Sequence, residues 1–422
     1  MLTPYRAIFA APGTKGFSSA GFVSRMPLSM LGIGIVTMVS QLTGEYGLAG
    51  ALSATLALSG GAFGPQVSRL VDRFGQRRVL RPAAAVTVAA ILGLVVCAGV
   101  GAPTWTLFAF TVVAGCTPSM GSMVRARWAH LYRNTPRLHT AYSFESVVDE
   151  VCFIIGPVLS IGLSTMLFPA AGPVLSAGFL AVGVFAVTAQ RSTEPPPHPR
   201  THHTKGSAMR SPGLQVLVAT FTAMGAIFGA VDVVTVAFAE EQGHKGAASL
   251  VLAAYALGSC LAGVVFGLVS PKGSAGRRFL VGVAVMAVSM IPLLLVRNLP
   301  SLAVAVFVAG LSIAPTMVTT MALVEQMVPA SKLTEGMTWT STGLAAGVAV
   351  GSSASGWVVD TADARTAFAV PAVAGAAAAV VAFLGWRRLR PAQEREGQRE
   401  LDEHRIEPGG QTGKQDVDQL GG

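Results

Sequence analysis

The chain has 422 residues, 52% of them hydrophobic and only 12% charged. Soluble proteins carry roughly 25% charged residues, so half that fraction between long apolar runs excludes a soluble domain and specifies a membrane protein. The net charge of +9 sits in short loops and builds no basic domain, which excludes nucleic acid as a partner.

Twelve apolar runs are predicted as membrane helices: 17–43, 47–67, 79–101, 103–124, 140–167, 169–190, 214–239, 247–270, 279–297, 299–325, 333–359 and 364–386. A bilayer core takes about 20 apolar residues per helix. Strands are excluded because an open sheet cannot satisfy its edges in lipid.

The first span follows Arg6 and Lys15 without an A-x-A-like cleavage site, so it is read as a retained helix. It contains Arg25, a charge that costs about 2.5–3.5 kcal/mol at the centre of a membrane helix unless partnered. After the second span comes SRLVDRFGQRR, residues 68–78. Asp72 is an anion at a tight turn among arginines, and Gly75 permits the turn. The fourth span ends at Arg125 and Arg127.

The fifth span carries SFESVVDEVCFIIGP, with Glu145, Asp149 and Glu150 followed by Gly156 and Pro157. Helical rise puts Asp149 and Arg25 at nearly the same depth, each roughly 7–8 Å short of its span's centre. Glu150 is one step deeper, and its side chain is rotated by about 100° from Asp149. Two pairings are open, Arg25 with Asp149 or Arg25 with Glu150. Glu145 lies one turn nearer the surface and is expected to pair with Arg125, Arg127 or Arg137. Asp149, Glu150 and Arg25 are the candidates for proton coupling, because intramembrane acids mark proton relays. Gly156 and Pro157 are the candidate helix bend.

RSTEPPPHPRTHHTKGSAMRSPG, 191–213, is a Pro-rich basic linker between two six-helix units, 1–190 and 214–386. His198, His202 and His203 within it are an adventitious cluster, not a metal site. In the seventh span, Asp232 is the other intramembrane acid. Met30, Met120, Phe228 and Met317 lie in the first, fourth, seventh and tenth spans with Ser and Thr between, and methionine adapts to varied apolar shapes. Glu325, at the end of the tenth span, is expected to join gating contacts. The segment 387–422 is charged, then Gly- and Gln-rich, and is predicted to stay disordered in the cytoplasm.

Orientation follows from the cations. Outside the first span, only Lys245, Arg297 and Arg365 fall in loops opposite the N-terminus. The positive-inside rule puts both termini in the cytoplasm, and the Arg-rich composition suits a bacterial inner membrane. The halves repeat each other. Val113-Ala114-Gly115 is matched by Val308-Ala309-Gly310, Pro118-Ser119-Met120 by Pro315-Thr316-Met317, Phe144-Glu145-Ser146 by Trp339-Thr340-Ser341, and Gly156 by Gly351. A same-sense six-helix repeat implies two bundles related by an axis along the membrane normal.

The 68–78 loop, between the second and third of twelve spans, resembles the signature loop of the major facilitator superfamily, G-x-L-a-D-r-x-G-r-r. Leu70, Asp72, Arg73, Gly75, Arg77 and Arg78 fit, with Ser68 in place of glycine. The resemblance covers residues 1 to about 390. It implies two pseudo-symmetric six-helix bundles, neighbouring first and fifth helices, and a gating role for Asp72 and its basic neighbours. It also implies a central cavity lined by the first, fourth, seventh and tenth helices, where Asp232 is a candidate contact for a cationic or hydroxylated solute and Met30, Met120, Phe228 and Met317 are the other cavity candidates. Gly156-Pro157 resembles the start of the exporters' antiporter motif, G-P-x-x-G-G, whose double glycine is absent here. The expected function is proton-coupled export of a drug-like or metabolite small molecule by a monomer without cofactor. Uptake of a sugar or other nutrient is the alternative, and a non-transporting sensor of the same fold is a third. An enzyme is not expected, because the spans hold no His, no H-E-x-x-H and no G-x-S-x-G.

Overall fold

Long apolar sequence forces backbone polar groups to pair within each segment, and the result is helical throughout. The computed structural model describes residues 3–197, 206–244, 247–269 and 273–389, and contains no strand among them. The middle of the linker with its three histidines, and all but the first three residues of the 387–422 tail, lie outside the described residues.

A short helix, α1 (Thr3–Ile8), precedes the first span, α2 (Thr14–Thr43). The second and third spans are α3 (Tyr46–Phe74) and α4 (Gln76–Gly99). The fourth is divided into α5 (Thr104–Ala114) and α6 (Met120–Tyr132). The fifth and sixth are α7 (Pro136–Met166) and α8 (Ala171–Ala189). In the second unit α9 (Pro212–Glu241) and α10 (Ala248–Leu268) are the seventh and eighth spans. The ninth is α11 (Ala275–Ser289) with a 3₁₀ turn to Leu295, and the tenth is divided into α12 (Leu299–Gly310) and α13 (Ile313–Met327). The eleventh is α14 (Leu333–Thr361), and α15 (Ala364–Ala367) and α16 (Ala369–Leu384) complete the twelfth. Ten spans are by themselves long and apolar enough to cross a bilayer. Of the other two, the second is diluted by Ser, Thr and Gly and the fourth is divided.

The ends of these helices follow from local chemistry. Pro136 and Pro212 open α7 and α9, where a missing N–H costs nothing. Asn298 and Ser301 form a reciprocal capping box on α12. Gly75 separates α3 from α4 at φ 90°, a conformation that favours glycine.

The fourth and tenth spans break directly after the two matched Val-Ala-Gly tripeptides. The repeat also appears in packing. A Cβ at Gly156 would meet Ser29 of α2, and one at Gly351 would meet the Ala226 carbonyl of α9. The fifth helix therefore lies on the first as the eleventh lies on the seventh.

The end of the bundle carrying the basic loops is where the two units bind each other. Asp72 Oδ2 accepts the backbone N–H of Glu335 at 3.0 Å, in the first turn of α14. Its charge thereby faces the positive end of a helix dipole. Arg69 Nε donates to Glu335 Oε1 at 2.7 Å, which also accepts from Ser207 and the Ala208 N–H. Ser68 meets Thr338 at 2.8 Å, and Arg133 pairs with Glu325 at 3.1 Å. On the α7–α10 seam His139 and Thr140 bond the carbonyls of Phe266 and Gly267, and Tyr5 of α1 donates to the Val264 carbonyl at 2.9 Å. The seam is close because Gly263 and Gly267 admit Val147, Ser143 and Tyr5.

Candidate functional site

Glu145, Asp149 and Glu150 occupy three different environments along α7. Glu145 is fully buried and is bonded by Arg25 and by Trp128 Nε1, the latter at 2.5 Å. This corrects the expectation of a surface pair with Arg125, Arg127 or Arg137. Trp128 is wedged in an aromatic cluster with Phe9, Phe17 and Tyr132, which aims its N–H at α7. Arg127 is turned away to Gln76, Thr193 and the Gln190 carbonyl.

Asp149 bridges two arginines. Arg25 Nη1 stands 2.7 Å from Oδ1 and Arg125 Nη2 stands 2.5 Å from Oδ2. Of the two open pairings for Arg25, the structure forms the one with Asp149. It does not form the one with Glu150, because the 100° rotation carries that side chain to the opposite unit. Two cations and two anions thus close a neutral cluster at the junction of α2, α6 and α7. Burying a charge requires such pairing.

Glu150 has no cation beside it among the described residues. Its Oε1 accepts the Ser259 hydroxyl of α10 at 2.6 Å, near the middle of both helices. This bond joins the two units at mid-depth. Asp232 of α9, in the second unit, is exposed and likewise carries no ion pair among the described residues. Phe228, one turn earlier on the same face, meets the Tyr255 ring of α10 edge-on at 6.3 Å.

The other cavity candidates separate. Met30 is buried between α2 and α7 with Met26 and Cys152, and Met120 is buried against Leu80, Met123 and Leu180. Both pack as core residues of the first unit. Met26 and Met30 lie one turn apart and share a face of α2. Met317 is half-buried against the core of the second unit. Pro157 lies inside α7, which continues unbroken to Met166. Of the 68–78 loop, Asp72 reaches the other unit, Gly75 makes the turn, and Arg73 lies over the Phe74 ring. The Arg77 N–H donates to Glu194, and Arg78 makes no hydrogen bond or ion pair among the described residues.

Sequence reasoning missed Trp128, Arg125 as a partner of Asp149, and Glu335 as the hub of the basic-end contacts. The signal for the first two was present: Arg125 and Trp128 are three residues apart and share a helix face. Among the described residues no group of three or more His, Cys, Asp or Glu could hold a metal ion.

A family model described as Major Facilitator Superfamily matches residues 17–299 and 216–415. No curated protein sequence matches. Several solved structures share the fold. A bacterial homologue of the iron transporter ferroportin, in an outward-facing state, aligns with TM-score 0.70 at 14% identity, over 89% of this chain and 100% of that one. The transporter FucP in the outward conformation aligns with TM-score 0.68 at 10% identity, over 89% and 98%. The human organic anion transporter MFSD10 (TETRAN) aligns with TM-score 0.66 at 13% identity, over 90% and 100%.

Proposed function

The chain belongs to the Major Facilitator Superfamily, a family of transporters rather than enzymes, and within it we propose that this member exports a drug-like or metabolite small molecule in exchange for protons. The mechanism is alternating access, in which the two units rock about a site near the bilayer midplane. The basic end is cytoplasmic, as the positive-inside rule requires. Both termini are then cytoplasmic, 191–213 is the cytoplasmic linker, and the protein works as a monomer in a bacterial inner membrane. The contacts at the basic end close the cytoplasmic side, with Asp72 holding the first turn of α14.

The observation that carries the coupling is the separation of Glu150 from its two neighbours. Glu145 and Asp149 are compensated by Arg25 and Arg125. Among the described residues Glu150 has no cation beside it and bonds a hydroxyl of the opposite unit, so a proton is what neutralises it. Proton transfer at Glu150 then changes a contact between the moving units. Asp149, the preceding residue, and its partner Arg25 hold α2 against α7 beside it.

The test is proton flux in proteoliposomes, with a pH-reporting dye inside and a panel of solutes added outside. Exchange alkalinises the lumen, whereas co-transport acidifies it and would replace export with uptake. The Glu150→Gln variant should still exchange solute supplied at saturating concentration but lose accumulation driven by a pH gradient. Unchanged accumulation in that variant would remove Glu150 from the coupling. A chain that moves no solute either way would be a sensor.

A further inference from the structure

Arg25 and Arg125 are both engaged by Glu145 and Asp149. The remaining lysines and arginines sit in loops and toward helix ends. Glu150 of the first unit and Asp232 of the second are therefore left as two carboxylates without a counter-charge. Both lie within electrostatic range of one group, the hydroxyl of Tyr255. Ser259, which bonds Glu150, is one helical turn from Tyr255 on α10, and Phe228, which abuts the Tyr255 ring, is one turn from Asp232 on α9.

The Tyr255 hydroxyl is the independent observation that points to a ligand. Tyr255 is only 8% exposed, and its hydroxyl has no hydrogen-bond partner among the described residues. A buried unpaired hydroxyl costs about 1–3 kcal/mol, and the groups around it are acids rather than cations. The phenol oxygen, unbonded among the described residues, offers a lone pair to an N–H. The ring of Phe228 adds an aromatic face, and such faces attract cations. A metal ion is disfavoured because the described residues offer no cluster of three ligands.

We infer that Glu150, Asp232 and Tyr255 form a mid-membrane site for an aromatic organic cation bearing an N–H group, held between the two units. This rests on the transporter reading above and names its substrate class. The cation supplies the charge the site lacks, Tyr255 accepts its N–H, and Phe228 lies against its ring. Because the two acids come from different units, the bound cation draws both together and either unit can release it by moving.

The experiment is equilibrium binding of ethidium to the detergent-purified full chain at fixed pH with no gradient, followed by fluorescence polarisation. Wild type should bind ethidium and not fluorescein, an anion of comparable size. Asp232→Asn and Glu150→Gln should each weaken ethidium by about ten-fold or more, as loss of a charge-assisted contact does. Asp232→Glu, which keeps the charge, should stay within about three-fold of wild type. Tyr255→Phe should weaken ethidium severalfold and leave tetraphenylphosphonium, which has no N–H, unchanged. Each variant is compared at wild-type elution volume and melting temperature, so that misfolding is not read as lost binding.

Wild type that does not bind ethidium, or that binds fluorescein equally well, overturns the site. So does ethidium affinity within two-fold of wild type in both charge-neutral variants. The transporter reading is tested separately, by gradient-driven flux. A chain that exchanges some other solute for protons but ignores ethidium loses the cation site and keeps that function.

Discussion

The contact of α2 with α7 and the contact of α9 with α14 are the same contact, repeated in the two units, and they are held by opposite means. In the second unit Gly343, Gly347 and Gly351 face Val218, Thr222 and Ala226 so closely that a Cβ would strike backbone or side chain at each. Gly225 and Gly229 return the contact against Leu344 and Val348. Small residues let membrane helices approach and gain from dispersion and backbone proximity. At the matching positions of α7 the first unit has Val148, Cys152 and Gly156, so only one of three glycines remains. The wider gap holds Met26 and Met30, is crossed by hydroxyl bonds from Ser29 and Ser160 to backbone carbonyls, and is closed by Arg25 on Glu145 and Asp149. The acids have no counterparts in α14, where Thr340, Leu344 and Ala345 stand. The fold therefore does not require charge at this contact. A glycine-lined pair suffices, and the charged pair is an addition peculiar to the unit that carries Glu150.

The contrast can be broken most severely at Arg25. Arg25→Met leaves fully buried Glu145 without a cation, and removing one member of a buried pair costs about 3–5 kcal/mol. The expected result is a large loss of yield and melting temperature in detergent. Adding Glu145→Gln should recover part of it, and strict additivity of the two would show that the pair is not coupled. In the second unit, Gly347→Leu drives a side chain into the Thr222 carbonyl and should cost about 1–3 kcal/mol by overpacking. Gly356→Ala is its control, since a Cβ there meets nothing within 4 Å, and it should melt as wild type does. The smallest effect is expected at Ser160→Ala, which removes one hydroxyl bond to the Met30 carbonyl. Interhelical bonds of this kind contribute about 0.6 kcal/mol in membranes, so a melting-temperature loss as large as that of Gly347→Leu would contradict the ranking.

Much of this arrangement was legible in sequence because hydrophobic length is a one-dimensional signal. Twelve spans, their repeat and the loop at 68–78 all follow from order along the chain. Depth was legible too: counting 1.5 Å per residue brings Arg25 level with Asp149. Rotation about the helix axis was only half legible. It separates Glu150 from Asp149, but which neighbour each face meets depends on helices far away in the chain. Glu145 shows the difficulty, since its partner Trp128 is aimed by Phe17 of α2 and Phe9, contacts that no local pattern encodes. The divided fourth and tenth spans escaped for a related reason. Val-Ala-Gly followed by Pro reads as an uninterrupted apolar run, and the break shows only in the backbone. Glu335 was passed over because an acid at a helix start is ordinary, and its several donors come from three separate segments.

Gly267 gives the α7–α10 seam a mechanical consequence. The seam closes only as far as the smallest side chain in it allows, and here that is a hydrogen atom facing Tyr5 and Ser143. A single methyl at this point, Gly267→Ala, acts as a doorstop. It alters no charge and touches none of the acids, yet it holds the basic end ajar. The expected result is more labelling of a cysteine placed on the seam. A steric wedge of this kind sets the resting position of the two units independently of protons and solute, so the same protein can be studied with its door propped or free.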